Sequence, residues 1–311
     1  MKFQFKIQPF QTEAAESVVR VFAGQPNRGM SKYRLDLGKR QMHSVEHKEE
    51  QPGLYGETEE EKCKRITDKY HNTSNALTDE ETDILEAAYR NADVELTAQE
   101  LLQNIRAVQT DNNLKYSTEL AAGLGAVSLD IEMETGTGKT YCYIKTMFEL
   151  HKTYGWSKFI VVVPSIAIRE GVKKTFEITQ EHFMELYGLK ARFFVYNSSN
   201  LHQLDEFSQS SGINVMIINT QAFNTTMNEG KNVEGRSGNE AARIIYSKRD
   251  EFGSRRPIDV IKANRPVVIL DEPQKMGGAA TQNALKNNFN PLFSLNYSAT
   301  HRTSHNLVYV L

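Results

Sequence analysis

Apolar positions follow two different periods along this chain, and the changes of period mark the predicted strands and helices. Apolar residues in unbroken runs or at every second position predict strands, whereas apolar residues three or four positions apart predict helices. Strands are predicted over residues 128–133, 158–163, 191–196, 214–219, 266–270 and 292–297. The helices that alternate with them are predicted over residues 139–151, 167–177 and 239–252.

Two of these strands are apolar along their whole length. Residues 160–163 are Ile-Val-Val-Val, and residues 267–270 are Val-Val-Ile-Leu. A strand with no polar face is typical of a parallel sheet that is covered on both sides. Because helices alternate with such strands, the pattern predicts an α/β fold, a parallel sheet with helices on both faces.

The chain before residue 126 is less regular. Phe3, Phe5 and Ile7 alternate with polar residues and predict a short strand, and residues 11–22 predict a helix. Residues 25–75 are polar and contain scattered glycines. They predict either a loop-rich, partly ordered insertion or a flexible surface segment, and both alternatives stay open.

Two further helices are predicted before residue 126. One begins near Thr78 and has Ala88 and Tyr89 on its apolar face. The other spans residues 97–108, and its first residues have the Thr-x-x-Glu spacing of a capping box.

These patterns divide the chain into three predicted segments. A strand and a helix occupy residues 1–24, and a helix-containing insertion occupies residues 25–125. The α/β domain then occupies residues 126–311, which is an ordinary length for one domain.

Composition and charge exclude several classes of protein. The 311 residues carry a formal net charge of -2, so any contact with DNA must come from a local patch and not from a basic surface. The two cysteines cannot form a disulfide framework, which favours a reducing, cytoplasmic location. The longest apolar run, residues 159–163, is far shorter than the about 18 residues that span a bilayer. No signal peptide is visible at the N-terminus either, so we expect no membrane association.

A glycine-rich turn joins the strand over 128–133 to the helix that begins at Lys139. Its residues are Glu134, Thr135, Gly136, Thr137, Gly138, Lys139 and Thr140. In a strand–turn–helix unit of this kind, backbone N–H groups and the helix dipole face a bound phosphate. Lys139 is then predicted to reach the β- and γ-phosphates, and Thr140 to bind Mg²⁺. Met133 stands where the general pattern has its first glycine. The alternative is a plain turn with an exposed lysine.

An acidic pair, Asp271 and Glu272, follows the strand over 266–270. Open parallel sheets bind ligands beyond the carboxyl ends of their strands, so both carboxylates are predicted to lie near the phosphate loop. Asp271 is predicted to hold Mg²⁺, and Glu272 to orient and deprotonate an attacking water. Taken alone, the pair is more typical of a polar turn.

Three small residues, Ser298, Ala299 and Thr300, follow the last predicted strand. Hydroxyl groups at this position are suited to link the acidic motif to the rest of the site. Two other residues are predicted to serve packing: Cys142 as a small buried hydrophobe and Trp156 as an anchor.

The order of these motifs resembles the first motor domain of a superfamily 2 helicase. The order is the phosphate loop, Pro164-Ser165, Thr220-Gln221, Asp271-Glu272-Pro273-Gln274 and Ser298-Ala299-Thr300. The Asp-Glu-Pro-Gln sequence and the segment that starts at Met133 are narrower and resemble the Res subunit of type III restriction-modification enzymes. The similarity extends from about Phe10 to the C-terminus and is weakest over residues 40–95.

The resemblance implies a RecA-like P-loop NTPase domain that uses ATP and Mg²⁺. It implies that hydrolysis is coupled to movement or switching on double-stranded DNA, and to DNA cleavage with a methyltransferase (Mod) partner subunit. The implied adenine contact is Gln11, whose alternative is a surface position on a helix. The implied DNA-backbone contacts are Pro164, Ser165, Thr220 and Gln221, whose alternative is ordinary strand-to-helix turns. The implied coupling residues are Gln274, Ser298, Ala299 and Thr300.

The chain is shorter than full-length members of that family. Its 311 residues include no second motor domain, no arginine finger and no nuclease domain, which is expected of a domain fragment or a truncated gene product. We therefore expect weak ATP hydrolysis from this chain by itself. The alternative functions are another superfamily 2 DNA or RNA helicase, or a nucleotide-binding, DNA-docking module without turnover.

Overall fold

A computed structural model describes residues 5–34, 87–121, 123–197, 201–220, 256–277, 279–300 and 306–311. The strands are β1 (Met30–Arg34), β2 (Ala87–Asn91), β3 (Ser128–Glu132), β4 (Lys158–Val163), β5 (Arg192–Val195), β6 (Asn214–Asn219), β7 (Val267–Asp271), β8 (Ser294–Ser298) and β9 (Asn306–Val310). The helices are α1 (Pro9–Val21), α2 (Ala98–Asp111), α3 (Lys139–Tyr154), α4 (Ile166–Tyr187), α5 (His202–Gln209), α6 (Pro257–Ala263) and α7 (Ala279–Phe289). A 3₁₀ turn over Pro273–Lys275 follows β7.

Seven of the described strands form one sheet in the order β5-β6-β4-β7-β8-β3-β9. Every neighbouring pair in this sheet is parallel. All seven carboxyl ends therefore lie at the same edge of the sheet. β8 lies between β3 and β7, so the loops after these three strands are neighbours at that edge.

The central strands separate two hydrophobic cores. In β4, Phe159 and Val161 belong to one core, and Ile160 and Val162 belong to the other. Helices α1 to α4 pack in the first core, and α5 to α7 pack in the second. Because both faces of β4 are covered, all of its positions are apolar or buried. The predicted α/β class, a RecA-like parallel sheet with helices on both faces, is confirmed.

The first two helices belong to the same core as the sheet. α1 packs against α3, and α2 packs against α1 and β9, and these two helices bury Ala14 and Leu101 in the first core. The predicted capping box forms at the start of α2, where the N–H of Thr97 donates to Glu100 Oε2 at 2.8 Å and the N–H of Glu100 donates to Thr97 Oγ1 at 3.3 Å. The end of the predicted insertion is thus packed into the α/β core, while the boundaries of the three segments stay a prediction.

Two predictions for the N-terminal region are wrong where the structure describes it. Residues 5–7 are not in a strand, because Phe5 packs its ring 5.0 Å from the ring of His182 and forms no ladder. Ala88 and Tyr89 lie in β2, which pairs with β1, and not on a helix. The remaining positions of these two elements and the predicted helix over 239–252 lie outside the described residues.

Several elements were not predicted, because they are short or contain few large apolar residues. Helix α5 buries Leu204 and Phe207, and α7 buries Leu285 and Phe289, which is too little to reveal a helical period. β1, α6 and β9 are shorter still or lie next to segments without a clear pattern. The other predicted elements begin and end within a few residues of the observed ones, except that α4 continues to Tyr187.

The two predicted packing residues are buried as expected. Trp156 lies edge-on to Phe22 and Phe293, with ring centroids 5.0 Å apart in both pairs, and its Nε1–H donates to the carbonyl of Ala92 at 3.0 Å. Burial raises the pKa of the Cys142 thiol to about 12, so this residue is a core hydrophobe and not a thiolate. None of the described helices combines the length and apolar composition that crossing a bilayer requires.

Asn91 ties the β1–β2 hairpin to the amino edge of the large sheet. Its Nδ2 donates to the carbonyls of Lys158 and Arg265, both at 2.9 Å. Its Oδ1 accepts from the N–H groups of Ser157 and Lys158 at 2.8 and 2.9 Å. One fully buried amide therefore satisfies backbone groups that precede or begin β4 and β7.

Asn91→Ala is expected to lower the free energy of unfolding by about 3 kcal/mol or more, because buried backbone groups lose partners at about 1–3 kcal/mol each. Urea denaturation followed by circular dichroism measures the change. The matched control is Asn104→Ala on α2, whose amide also donates to two carbonyls, those of Val21 and Ala23, from a partly exposed position. The Asn91 substitution should cost clearly more than this control, and equal losses would contradict the proposed anchoring.

Candidate functional site

Three loops meet at the carboxyl edge of the sheet, after β3, β8 and β7. The registers place Glu132 beside Ser298, and Tyr297 beside Asp271. The ladder continues one step past each strand, since the N–H of Met133 donates to the carbonyl of Ser298 at 2.8 Å. The predicted phosphate loop, the acidic pair and the Ser-Ala-Thr turn are therefore held next to one another, as expected.

The glycines of the phosphate loop have the backbone conformation that the turn requires. Gly136 and Gly138 have φ values of +89° and +84°, a left-handed region that side chains rarely adopt. Gly138 is also the N-cap of α3, and a Cβ there would lie 2.7 Å from Nε2 of Gln11. Thr137 closes the turn, because its Oγ1 donates to the carbonyl of Glu134 at 2.7 Å. Thr135 lies between Glu134 and Thr137 in the sequence and is exposed.

Gln11 lies against the phosphate loop. It is buried on α1 with 7% of its surface exposed, and its Nε2 donates to the carbonyl of Thr137 at 2.9 Å. The alternative of a surface helix position is thus excluded. The contact joins the N-terminal helix directly to the loop that is predicted to bind phosphate.

Lys139 and Glu272 form an ion pair across the site. Lys139 Nζ lies 2.9 Å from Glu272 Oε1, and both side chains are about nine-tenths buried. The same Nζ also donates to the carbonyl of Met133 at 3.3 Å. The lysine of this turn is therefore not exposed, because its ammonium group is held by an anion and a carbonyl.

Glu272 has an unusual backbone conformation, with φ at +59° and ψ at +58°. A residue other than glycine in this left-handed region costs about 1–3 kcal/mol. The N–H of Glu272 donates to the carbonyl of Tyr297 at 2.8 Å, and the turn that begins at Pro273 follows at once. Burial acts to raise the pKa of the Glu272 carboxyl, but the hydrogen bonds of Lys139 and Gln274 and the charges of Lys139 and Lys275 together outweigh it and lower the pKa. Glu272 is therefore ionised at neutral pH.

Asp271 lies in a different electrostatic environment. It is buried at the end of β7, and burial together with the charge of Glu272 raises the pKa of its carboxyl to about 6. The positive charges of Lys139 and Lys275 oppose this shift without cancelling it. A buried carboxylate beside a second carboxylate is stabilised by an additional cation.

The residues predicted to hold Mg²⁺ fit that ion chemically. Thr140 offers a hydroxyl oxygen at the start of α3, and Asp271 offers carboxylate oxygens on the neighbouring loop, which are the hard donors that Mg²⁺ prefers. Within the described ranges there is no group of three or more His, Cys, Asp and Glu side chains that could hold a metal. Mg²⁺ bound through few protein ligands, with phosphate and water completing its shell, is consistent with both observations.

The predicted coupling residues form a hydrogen-bonded chain with the acidic motif. Ser298 Oγ lies 2.8 Å from Gln274 Oε1 and 3.3 Å from Glu272 Oε2, and the Gln274 amide donates to the same Glu272 oxygen. The N–H of Thr300 donates to Ser298 Oγ at 3.1 Å. Ala299 lies between the two within the turn. Glu272 is thus contacted by the Ser-Ala-Thr turn from one side and by Lys139 from the other.

Three of the four candidate DNA-binding residues lie together at the carboxyl ends of β4 and β6. Thr220 is buried, and its Oγ1 donates to the carbonyl of Pro164 at 3.4 Å. Ser165 is the N-cap of α4, since its Oγ accepts from the N–H of Ile168 at 3.3 Å. Gln221 lies outside the described residues. The hydroxyl groups of Ser165 and Thr220 are therefore already used inside the fold.

One residue near the site carries no signal in the sequence. Tyr143 lies one turn after Thr140 on α3 and is fully buried, with its ring edge against that of Tyr297. An aromatic residue in an amphipathic helix is indistinguishable from an ordinary core residue. Its position next to the acidic motif follows from the sheet register, which sequence alone does not give.

The raised pKa of Asp271 predicts a dependence of stability on pH. Between its ordinary value of 3.8 and about 6 the folded protein binds more protons than the unfolded chain, so stability falls as pH rises through this window. Asp271→Asn removes that penalty, so the ligand-free variant should be more stable than wild type at pH 7.5, by up to about 3 kcal/mol. The difference should vanish near pH 4.

Urea titrations in EDTA at both pH values measure this difference. Asp111→Asn, at an exposed residue that pairs with Arg20, is the control and should gain no stability. A ligand-free Asp271→Asn protein that is less stable than wild type at pH 7.5 would contradict the assignment.

Comparison with known proteins identifies the family. A family model described as type III restriction enzyme, res subunit, matches residues 104–303. The chain is 30% identical over 236 residues to the type III restriction-modification enzyme EcoP15I Res subunit of Escherichia coli, covering 71% of this chain and 23% of that protein. It is 31% identical over 236 residues to the EcoPI Res subunit of Escherichia phage P1, with the same coverage.

More distant or shorter similarities accompany these. The StyLTI Res subunit of Salmonella typhimurium is 34% identical over 166 residues, covering 48% of this chain and 16% of that protein. Among solved structures, the UvsW helicase from bacteriophage T4 aligns with a TM-score of 0.35 and 11% identity, over 69% of this chain and 64% of the helicase. The chain thus spans about a quarter or less of the length of the Res subunits it matches. Because the family model matches more than half of its residues, this chain belongs to the Res-subunit family of type III restriction enzymes.

Proposed function

We propose that this chain binds ATP with Mg²⁺ and hydrolyses it, as the first motor domain of a type III restriction enzyme. The observation that carries the proposal is the buried ion pair between Lys139 and Glu272, at 2.9 Å, between a glycine turn and an acidic turn on one edge of a parallel sheet. At this edge, a phosphate-binding cation and a candidate base are both within reach of one reacting group.

The phosphate loop supplies binding and electrostatic stabilisation. N–H groups from Thr135 to Thr140 face the β- and γ-phosphates, and Lys139 exchanges its contact with Glu272 for a γ-phosphate oxygen. Thr140 and Asp271 would hold Mg²⁺, which when bound would supply positive charge against the charge that develops on the phosphates. The raised pKa of Asp271 in the ligand-free site supports this role, because a dication there favours the ionised carboxylate.

Glu272 acts as the base once Lys139 has turned to the phosphate. A water oxygen attacks the γ-phosphorus, the bond from that phosphorus to the bridging oxygen breaks, and a water proton passes to the Glu272 carboxylate. ADP and inorganic phosphate are the products. The lowered pKa of Glu272 keeps it unprotonated before the step, as a base requires.

Gln11 is the proposed adenine contact. Its Nε2 donates a hydrogen bond to the carbonyl of Thr137, so its Oε1 is available to accept a hydrogen bond from the amino group of adenine. A guanine base presents an oxygen at the same place, which an acceptor repels. Gln11 would thus favour ATP over GTP. Through its contact with Thr137 it would also link binding of the base to the phosphate loop.

The proposed function also includes contacts with DNA and with other domains and subunits. The segments Pro164-Ser165 and Thr220-Gln221 contact phosphates of double-stranded DNA through the backbone N–H groups of their residues other than proline, which positions the duplex without reading its sequence. Gln274, Ser298, Ala299 and Thr300 transmit the state of Glu272 to that surface. A methyltransferase (Mod) subunit, a second motor domain and a nuclease domain complete a cytoplasmic enzyme that couples ATP hydrolysis to DNA translocation and cleavage.

Lys139→Ala tests the phosphate loop. Removing the ammonium group should weaken binding of a fluorescent ATP analogue at least tenfold, because the β- and γ-phosphates lose a charged partner. Equilibrium fluorescence titration in MgCl₂ measures the affinity. Lys152→Ala, an exposed residue on the same helix, should bind as wild type does. If the two variants have equal affinities, Lys139 does not contact phosphate.

Glu272→Gln separates binding from hydrolysis. The amide keeps the shape of the carboxylate but accepts no proton, so nucleotide affinity should stay within a few-fold of wild type while turnover falls by about 10²–10⁴. Phosphate release is measured in a polypeptide that includes the second motor domain, with DNA and the partner subunit present.

The control for this substitution is Glu177→Gln on the exposed face of α4. It should hydrolyse ATP at the wild-type rate. Retained hydrolysis in the Glu272 variant would assign the base to another residue.

A further inference from the structure

The hydroxyl group of Tyr143 is buried and makes no hydrogen bond of normal geometry to any described residue. The residue has no exposed surface, and its hydroxyl is among the buried polar atoms without an acceptable partner. An unpaired buried hydroxyl is costly, so its persistence in a native core calls for an explanation.

Other tyrosines around α3 do have partners. Tyr154, on the same helix, donates to the carbonyl of Val19 at 2.8 Å. Tyr297, which packs against Tyr143, has its hydroxyl 2.8 Å from Thr146 Oγ1. Among these three tyrosines, the unpaired state is thus specific to Tyr143 and is not a general property of this core.

The position of Tyr143 is next to the proposed Mg²⁺ ligands. It lies one helical turn after Thr140, and its ring centroid is 5.5 Å from that of Tyr297, which is the register neighbour of Asp271. Side chains of register neighbours in a parallel pair lie on the same face of the sheet, so Asp271 and Tyr143 share one space. Burial and then the negative charge of Asp271 raise the pKa of Tyr143, and the Thr140 hydroxyl is close enough to act against them. Both ligand side chains therefore lie within reach of this hydroxyl, although it forms a hydrogen bond of normal geometry with neither.

We infer that Tyr143 is a positioning residue for the cation, linking the two side chains that hold it. This inference rests on the proposed function. When Thr140 Oγ turns a lone pair toward Mg²⁺, its hydrogen points away from the ion, and the Tyr143 oxygen is there to accept it. The Tyr143 O–H then donates to the Asp271 carboxylate. Both bonds orient ligand oxygens toward the cation, and the hydroxyl that lacks a partner in the ligand-free protein gains two.

If Tyr143 positions the cation, removing its hydroxyl should change the Mg²⁺ affinity without lowering the stability. Removing a purely structural hydroxyl would lower the stability. Without ligand, the hydroxyl forms no hydrogen bond of normal geometry, so Tyr143→Phe should fold with a urea midpoint equal to or above that of wild type. With nucleotide, residues that orient metal ligands typically change metal affinity by about 10–100-fold when mutated. The half-saturating Mg²⁺ concentration should therefore rise about tenfold or more.

The experiment uses this chain with a fluorescent ATP analogue titrated in EDTA and at increasing MgCl₂. Wild type and Tyr143→Phe should bind the analogue equally in EDTA and differ in the Mg²⁺ concentration at half-saturation. Tyr154→Phe is the matched control: it loses the bond to Val19, so its urea midpoint should fall while its Mg²⁺ dependence stays that of wild type.

Each outcome bears on a distinct claim. An unchanged Mg²⁺ midpoint in Tyr143→Phe overturns the inference, and so does a lower urea midpoint or loss of folding, since either shows that the hydroxyl is already bonded. Weaker binding in EDTA would also overturn it, because the effect would then not act through the cation. Wild-type protein that binds no analogue even with Mg²⁺ would refute the proposed function itself.

Discussion

The parallel order β7-β8-β3 is the constraint on which the site depends. It places the loops after three adjacent strands at one edge, so residues 133 positions apart, Lys139 and Glu272, meet at 2.9 Å. The same order fixes the left-handed conformation of Glu272, because the ladder bond to Tyr297 and the turn at Pro273 hold its backbone from both sides. Strain of about 1–3 kcal/mol at one residue is thus tolerated where the sheet on either side is rigid.

The adjacent carboxylates of Asp271 and Glu272 differ in pKa because their neighbours differ. Glu272 reaches out to Lys139 and Gln274 and stays ionised, whereas Asp271 is buried at the strand end, and the pKa of its carboxyl is raised to about 6. In the proposed function the two roles follow from this difference: an ionised base free to accept a proton, and a ligand that is fully ionised only beside a cation. A displacement of one sequence position is enough to give the two carboxylates different environments, since successive residues at a strand end point in different directions.

Much of this arrangement could be predicted from the sequence, and the exceptions have physical causes. The apolar runs of β4 and β7 revealed the sheet because burial on both faces requires apolar residues throughout, and the glycines 136 and 138 revealed the loop because its backbone excludes side chains. Helices such as α7 were missed because they bury only two large apolar residues. Ala88 and Tyr89 were assigned to a helix because a strand in a two-stranded hairpin has no run long enough to show its period. Tyr143 was missed because its neighbours are set by long-range register.

The pairing of β1 with β2 keeps residues 34 and 87 away from the candidate site. Asn91 fastens the hairpin to the amino edge of the sheet, opposite the edge that carries the Lys139–Glu272 pair, and the hairpin holds residues 34 and 87 side by side. Residues 34 and 87 are therefore fixed by strand pairing and by Asn91, and neither residue depends on the edge that carries Lys139 and Glu272.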